Sequence, residues 1–320
     1  MAKYRDNLPQ LGAEFFMTDG GIETTLIFLE GQDLPDFAAF HLFRTAEGVE
    51  ALRAYFLQYC LLANRFGVGL VLETPTWRAS ADWAARLGYP TDELAAITRR
   101  SVELIVKLRD EYETIGKPIV ISGCLGPRGD GYVVQSAMSV QRAADYHQPQ
   151  IDTFAGTSAD LVTAITMNYT EEAVGITRAA ERAGVPVVIS FTLETDGNLP
   201  TGQPLRDAVR QVDDLTGGYP AYFMINCAHP DHFDKVLTEN EPWVGRLRGL
   251  RANASRMSHA ELNDATELDT GNTIELANLY ATLKRDRLRD LNVMGGCCGT
   301  DVRHIEQIAA ACLPLFRTIS

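Results

Sequence analysis

The amino-acid sequence predicts an α/β protein of the (β/α)8, or TIM-barrel, class. Three features lead there. Short apolar runs rich in β-branched residues recur along the chain, and longer stretches with helical spacing lie between them. The polar stretches that carry Gly and Pro fall after the apolar runs. Alternating strand and helix is the pattern of parallel βαβ units. A chain of 320 residues with 46% hydrophobic content is long enough for eight such units in one domain over residues 1–320. An open dinucleotide-binding sheet is disfavoured, because no Gly-x-Gly-x-x-Gly follows the first run.

In chain order, the first strand is expected over Glu14 to Asp19, followed by the amphipathic stretch Glu47 to Arg65. Strand Val68 to Glu73 and helix Asp92 to Tyr112 come next, then strand Pro118 to Gly123 and helix Val140 to Phe154. Strand Ala159 to Ile165, helix Thr170 to Ala183 and strand Val185 to Phe191 continue the alternation. The last strands are Ala221 to Asn226, Arg246 to Ala252 and Asn292 to Gly295, with a closing helix over Thr300 to Leu315. Thr170 ahead of Glu171-Glu172, and Thr300 ahead of Asp301, read as hydroxyl caps before acidic first turns. Loop insertions near 130–139, 194–204 and 253–272 follow strands, on the face where a barrel carries its active site.

Lys and Arg total 29 against 42 Asp and Glu, a formal charge of −13. That balance repels polyanions at long range and argues against a nucleic-acid partner; a cationic small molecule would be mildly attracted. The start Met-Ala-Lys-Tyr-Arg-Asp-Asn lacks the apolar stretch of a secretory signal, and no run reaches the ~18 apolar residues of a membrane span. The expectation is a cytoplasmic protein without a membrane partner. Barrels commonly associate, so a homo-oligomer is compatible with this reading, although no apolar stripe identifies an interface.

Six cysteines are too few for a disulfide scaffold, and clustered thiols in a reducing compartment point to metal or catalysis. Cys60, Cys124 and Cys312 read as buried apolar fillers. Cys227 follows the sixth strand in Met224-Ile225-Asn226-Cys227, and Cys297-Cys298 follow the eighth in Gly295-Gly296-Cys297-Cys298-Gly299-Thr300. All three would face one mouth. Three thiolates with an open fourth position suit catalytic Zn2+, and the flanking glycines let adjacent side chains turn toward one ion. Cys297-Cys298 would also suit a vicinal disulfide or a tight turn, and a barrel that only senses metal or redox state is a second class of function. His229 reads as a partly exposed loop residue. A zinc with three thiolates is electron-rich, so its best use is to hold a substrate thiolate that stays nucleophilic toward the methyl group of a sulfonium or quaternary ammonium donor.

The segments Asn226-Cys227 and Gly295-Gly296-Cys297-Cys298, with Thr18-Asp19-Gly20-Gly21, Glu73-Thr74-Pro75-Thr76-Trp77-Arg78-Ala79-Ser80, Ser122-Gly123-Cys124-Leu125-Gly126-Pro127 and Tyr146-His147-Gln148-Pro149-Gln150-Ile151, resemble the homocysteine S-methyltransferase family of zinc-dependent (β/α)8 barrels. The resemblance runs from about residue 15 to residue 315. It implies methyl transfer from a small-molecule donor to a small thiol, homocysteine giving methionine, with Cys227, Cys297 and Cys298 as the Zn2+ ligands. It also implies Asp19 as a contact to the amino-acid end of the thiol. Glu23 would shape the same pocket or stand as a solvated first-turn carboxylate. Thr74 and Asn226 would contact substrate or satisfy backbone in a turn. Two departures stand out. Where the family carries a Glu that grips the homocysteine ammonium, this chain reads Ala164-Ile165-Thr166, and Phe37-Ala38-Ala39 replaces the family's Trp-Ser-Ala. A lost charge-assisted bond of ~1.5–3 kcal/mol weakens homocysteine unless Glu73, Glu194 or another acid takes over. A thiol without an amino group is therefore the rival acceptor.

Overall fold

Eight parallel strands close in sequence order: β1 (Phe16–Met17), β2 (Gly69–Glu73), β3 (Ile119–Leu125), β4 (Leu161–Met167), β5 (Val187–Thr192), β6 (Tyr222–Asn226), β7 (Leu247–Ala252) and β8 (Val293–Gly296), with β8 paired back to β1. The chain is seen in a computed structural model that describes residues 1–237 and 241–316; positions 238–240 and 317–320 of the expected domain lie outside the described residues. The outer layer is built by α1 (Ala46–Phe66), α2 (Thr91–Tyr112), α3 (Val140–Ala155), α4 (Thr170–Ala183), α5 (Leu205–Thr216), α6 (Thr273–Asp286) and α7 (Val302–Cys312). Between β6 and β7 the short turns Pro230–Phe233, Asp234–Val236 and Val244–Arg246 take the place of a long helix. Among the described residues, no helix is long and apolar enough to cross a membrane.

Every expected strand is present, with two differences that matter for the mouth. The first is short, because the chain leaves the sheet at Thr18, whose N–H still bonds to the Met294 carbonyl at 2.9 Å, and turns into Asp19-Gly20-Gly21. The fourth runs two residues past Ile165 through a register shift between Ala164 and Met167, where Thr166 takes a left-handed φ of 65°. The expected caps also move. Tyr169 precedes α4 without a side-chain cap, and Thr170 is its first residue, its hydroxyl turned to Gln203. Asp301, not Thr300, caps α7: its carboxylate accepts from Arg303 N and pairs reciprocally with His304. A carboxylate at a helix start also meets the positive end of the dipole, which leaves the Thr300 hydroxyl for the turn before it.

Strand alternation sorts the barrel interior into two levels. Low in the barrel, Phe16, Val71, Val120, Leu161, Val188, Tyr222, Met224 and Val293 pack into one apolar plug, closed from below by Tyr4 and Leu8 of the N-terminal segment. Above it the inward positions become polar: Glu73, Ser122, Thr163, Ser190, Asn226 and Arg251 are all buried. The helices cover the outside through a separate apolar layer. The lower end is tied by Asp160, which is fully buried. One of its oxygens accepts Lys3 N and Tyr4 N at 2.8 Å each; the other accepts Arg109 Nη1 at 3.0 Å and Ile121 N at 2.8 Å.

Removing one partner of a buried, hydrogen-bonded ion pair leaves the other charge unpaired in the interior. Asp160→Ala is therefore expected to lower the free energy of unfolding in urea by about 3–5 kcal/mol, while the folded variant keeps the far-UV circular dichroism of the wild type. A loss below about 1 kcal/mol, the size expected of an exposed pair, would contradict the clamp.

Candidate active site

At the upper rim, Cys227 lies just past β6, and Cys297 and Cys298 just past β8. Their sulfurs all fall within 4.8 Å of one another, close enough to hold one metal ion. Cys227 Sγ is 2.6 Å from Cys297 Sγ, and all three cysteines are free. Cys227 is buried and the pair is half-buried. The thiols of Cys297 and Cys298 hydrogen-bond to the sulfur of Cys227, holding it well below the usual thiol range; the same bond pushes Cys297 up to about 12 and raises Cys298 as well. One sulfur is thus ready to ionise, in a set of soft donors suited to a thiophilic ion such as Zn2+.

Local sequence explains how three sulfurs converge. At Gly295 an added Cβ would stand 1.8 Å from Thr18 Oγ1, so only glycine lets β8 pass β1 there. Gly299, at φ 77°, turns the chain back after the pair. Thr300 closes that turn, with its N–H and its hydroxyl both donated to the Cys297 carbonyl. Cys227 itself sits at φ 52°, a conformation that costs a non-glycine residue about 1–3 kcal/mol and persists only when its surroundings hold it. Its N–H donates to the Arg251 carbonyl at 3.2 Å, and its carbonyl accepts from His259 Nε2 at 2.6 Å. His259 Nδ1 lies 3.2 Å from Glu194, and its ring stacks on Tyr132 at 4.0 Å between centroids. The Tyr132 hydroxyl is 3.9 Å from Cys298 Sγ, so the 130–139 insertion reaches across the mouth to the sulfurs.

Beneath the rim, one guanidinium organises the floor. Arg251 Nη1 is 2.7 Å from both Glu73 Oε2 and Asp19 Oδ1, Nη2 donates to the Gly20 carbonyl and Nε to the Gly296 carbonyl. The N–H of Nη1 aligns with Glu73, so Asp19 Oδ1 is held by charge; the other oxygen of Asp19 accepts the Tyr55 hydroxyl at 3.0 Å. Burial raises the carboxyl of Asp19 and pushes Glu73 up to about 7, and Arg251 opposes both shifts.

The other expected contacts divide. The Asn226 amide oxygen accepts Thr166 N and the Ser190 hydroxyl, and its NH2 donates to Thr166 Oγ1, so it pins the left-handed Thr166 beside the sulfurs. Thr74 Oγ1 accepts Cys124 N and bonds to Thr76. Both polar groups are satisfied inside the barrel. Glu194 is engaged by His259 and Glu73 by Arg251, so neither is an unpaired replacement for the acid absent at Ile165. Glu23 differs: half-buried in the turn Ile22–Thr24, it has a donor in its own backbone N–H but, among the described residues, no ion pair. Burial pushes it up to about 7, and the nearby charges of Cys297 and Asp19 add to the shift. His229 is buried rather than partly exposed. It caps the turn Pro230–Phe233 by accepting Asp231 N, away from the three sulfurs, and burial lowers its ring to about 4. The Tyr146 to Ile151 segment packs α3 on α4 through His147 and Glu172, 2.8 Å apart.

Sequence reasoning passed over Arg251, His259, Tyr132 and Thr166. A signal existed for Arg251, a charge on the inward face of an expected strand; His259 offered only the helix start Ser258-x-x-Glu261, which says nothing of the Cys227 carbonyl. An acid with a folded-state pKa above its ordinary 4.5 takes up a proton on folding. Its contribution to stability is full below that value and is lost as pH rises through about 7. Urea unfolding of the metal-free protein is expected to show stability falling between about pH 5 and pH 7.5, less steeply in Glu23→Gln; equal slopes would contradict the burial of this carboxyl.

A family model described as homocysteine S-methyltransferase matches residues 16–312. The homocysteine S-methyltransferase of Escherichia coli (strain K12) is 31% identical over 281 residues, covering 82% of this chain and 85% of its own. Homocysteine S-methyltransferase YbgG of Bacillus subtilis (strain 168) is 24% identical over 256 residues, 74% of this chain and 77% of its own. Among solved structures, the metallated form of the homocysteine methyltransferase MmuM from Escherichia coli matches with a TM-score of 0.71 at 23% identity, over 93% of this chain and 96% of that one. That likeness speaks to the fold, whereas the family model and the relative at 31% speak to descent: this chain belongs to the homocysteine S-methyltransferase family and is a methyltransferase.

Proposed function

We propose that Cys227, Cys297 and Cys298 hold a zinc ion, and that the enzyme moves a methyl group from a sulfonium or quaternary ammonium donor to a small thiol, homocysteine giving methionine. The observation that carries this reading is the meeting of three free sulfurs at one point of the barrel rim. Zinc, when bound by three thiolates, supplies an open position that deprotonates a thiol while leaving its sulfur nucleophilic. The chain's own residues set the conditions around it. His259 and the Arg251 carbonyl fix the backbone of Cys227, and the Tyr132 hydroxyl stands against Cys298. Asn226 and Thr74 act by positioning, through Thr166 and Cys124. Asp19 and Glu73, tied to Arg251, keep the floor rigid and close to charge balance, so that Asp19 orients the acceptor from a held position. Ile165 favours a second acceptor class, a thiol without an amino group.

Zinc content by mass spectrometry and methyl transfer to homocysteine, with S-methylmethionine, betaine, dimethylsulfoniopropionate and S-adenosylmethionine as donors, test the proposal together. Cys297→Ser is expected to lose metal and activity in parallel; undiminished transfer by metal-free wild type would overturn it. Replacing His259 by Phe, which frees the Cys227 carbonyl, is expected to weaken zinc roughly 10- to 100-fold, the usual effect of removing a partner that orients a ligand. Unchanged affinity in a competition with a chelator would remove His259 from the metal site.

A further inference from the structure

Beside the Arg251 cluster, the mouth holds a second buried cation with a different fate. Arg78 is 8% exposed, and its guanidinium lies between two indole rings, 4.0 Å from the centroid of Trp77 and 3.8 Å from that of Trp83. Nη1 donates to the Gly129 carbonyl at 3.1 Å, but Nε is buried with no acceptor. The charges of Asp130, Glu23 and Asp36 reach it, yet among the described residues none forms an ion pair with it. Asp130 accepts Tyr132 N and Val133 N, and Asp36 faces Arg86. A guanidinium that is desolvated, held against two aromatic rings and short of an acceptor is a preformed receptor for a carboxylate.

Its place suits a substrate. Trp77 donates through Nε1 to the carbonyl of Ile165 and packs against Gly131, the residue before Tyr132, which touches Cys298. Glu23 is the complementary group: a recessed carboxylate whose charge reaches Arg78 and which feels the charge of Cys297, with no ion-pair partner among the described residues. The rim thus offers one acid and one base of opposite sign that feel each other and do not pair. The other carboxylates near the sulfurs, Asp19, Glu73 and Glu194, already have cationic or imidazole partners, so Asp19 orients the acceptor from its tie to Arg251 and is not the free counter-charge for an ammonium. Two uncompensated, partly desolvated charges are costly alone and favourable together around a zwitterion.

We propose that Glu23 and Arg78 together hold the amino-acid end of the thiol acceptor, the Glu23 carboxylate receiving its α-ammonium and the Arg78 guanidinium its α-carboxylate. The assignment rests on the thiol-methylating reading above and narrows the acceptor to α-amino-acid thiols, with Glu23 serving in place of the acid absent at Ile165.

Calorimetric binding to the zinc-loaded enzyme separates the two ideas. Homocysteine, 4-mercaptobutanoate, which lacks the ammonium, and 3-mercaptopropylamine, which lacks the carboxylate, are titrated into wild type, Glu23→Gln and Arg78→Gln. Wild type is expected to bind homocysteine at least about 10-fold more tightly than either truncated thiol. Glu23→Gln is expected to weaken homocysteine and the amine roughly 10- to 100-fold and to leave 4-mercaptobutanoate within about 2-fold; Arg78→Gln is expected to weaken homocysteine and 4-mercaptobutanoate and spare the amine. If Arg78→Gln disturbs the tryptophan stack and fails to fold, Arg78→Lys serves, with a smaller loss confined to the same two thiols. Equal weakening of all three thiols, or no preference for homocysteine in the wild type, overturns the pair alone. Failure of every thiol to bind wild type overturns the acceptor reading, and the pair with it.

Discussion

The mouth of this barrel depends on the guanidinium of Arg251. From β7 it reaches the acid that ends β2, the acid just past β1, the carbonyl of Gly20 and the carbonyl of Gly296. With Arg251 itself, these groups come from the ends of four neighbouring strands, β7, β8, β1 and β2, around the point where the sheet closes on itself. Burial disfavours the charge of Arg251, and Asp19 and Glu73 more than restore it. A buried ion cluster of this kind adds little net stability over an apolar core, and its value lies in specifying one arrangement. The arrangement specified here is that of the β8 end: a bond to Gly296 sets the peptide immediately before Cys297.

A second constraint comes from conformations that side chains ordinarily avoid. Thr166 and Cys227, at the ends of β4 and β6, are both left-handed, and the amide of Asn226 lies between them with its oxygen and its nitrogen both used on Thr166. Strain held in place by hydrogen bonds and concentrated at a rim is what a preorganised site requires. The apolar plug and the Asp160 clamp at the other end keep the barrel closed independently of it. Stability and chemistry therefore occupy opposite ends of the same strands, the division expected of this architecture.

Much of this could be read from the chain alone, for identifiable reasons. The strands are buried on both faces, so they appear as continuous apolar runs, and each of the eight lies where the runs predicted it. Cys227 and Cys297-Cys298 were legible because cysteine is rare in this chain and these three stand just past strand ends. Less visible was everything that depends on register. Whether Thr74 and Asn226 face a substrate or their neighbours turns on pairings between strands distant in sequence, and those pairings satisfy both. The β4 irregularity that lodges Thr166 has no local sign in Ala164-Ile165-Thr166-Met167. His259 and Tyr132 come from insertions whose course no periodicity describes. The caps at Thr170 and Thr300 failed for a local reason: a hydroxyl one residue too late for the helix found other acceptors.

The sulfur cluster also has a consequence for the order in which the molecule is made. Its contributors are 70 residues apart, one on the sixth strand and two on the last. Until β8 joins β1, Cys227 stands without the other two sulfurs on an unclosed sheet. In the zinc-bound form proposed above, capture of the ion and completion of the cylinder would be one event, and the affinity of the ion for the finished site would hold the two ends of the chain's path together.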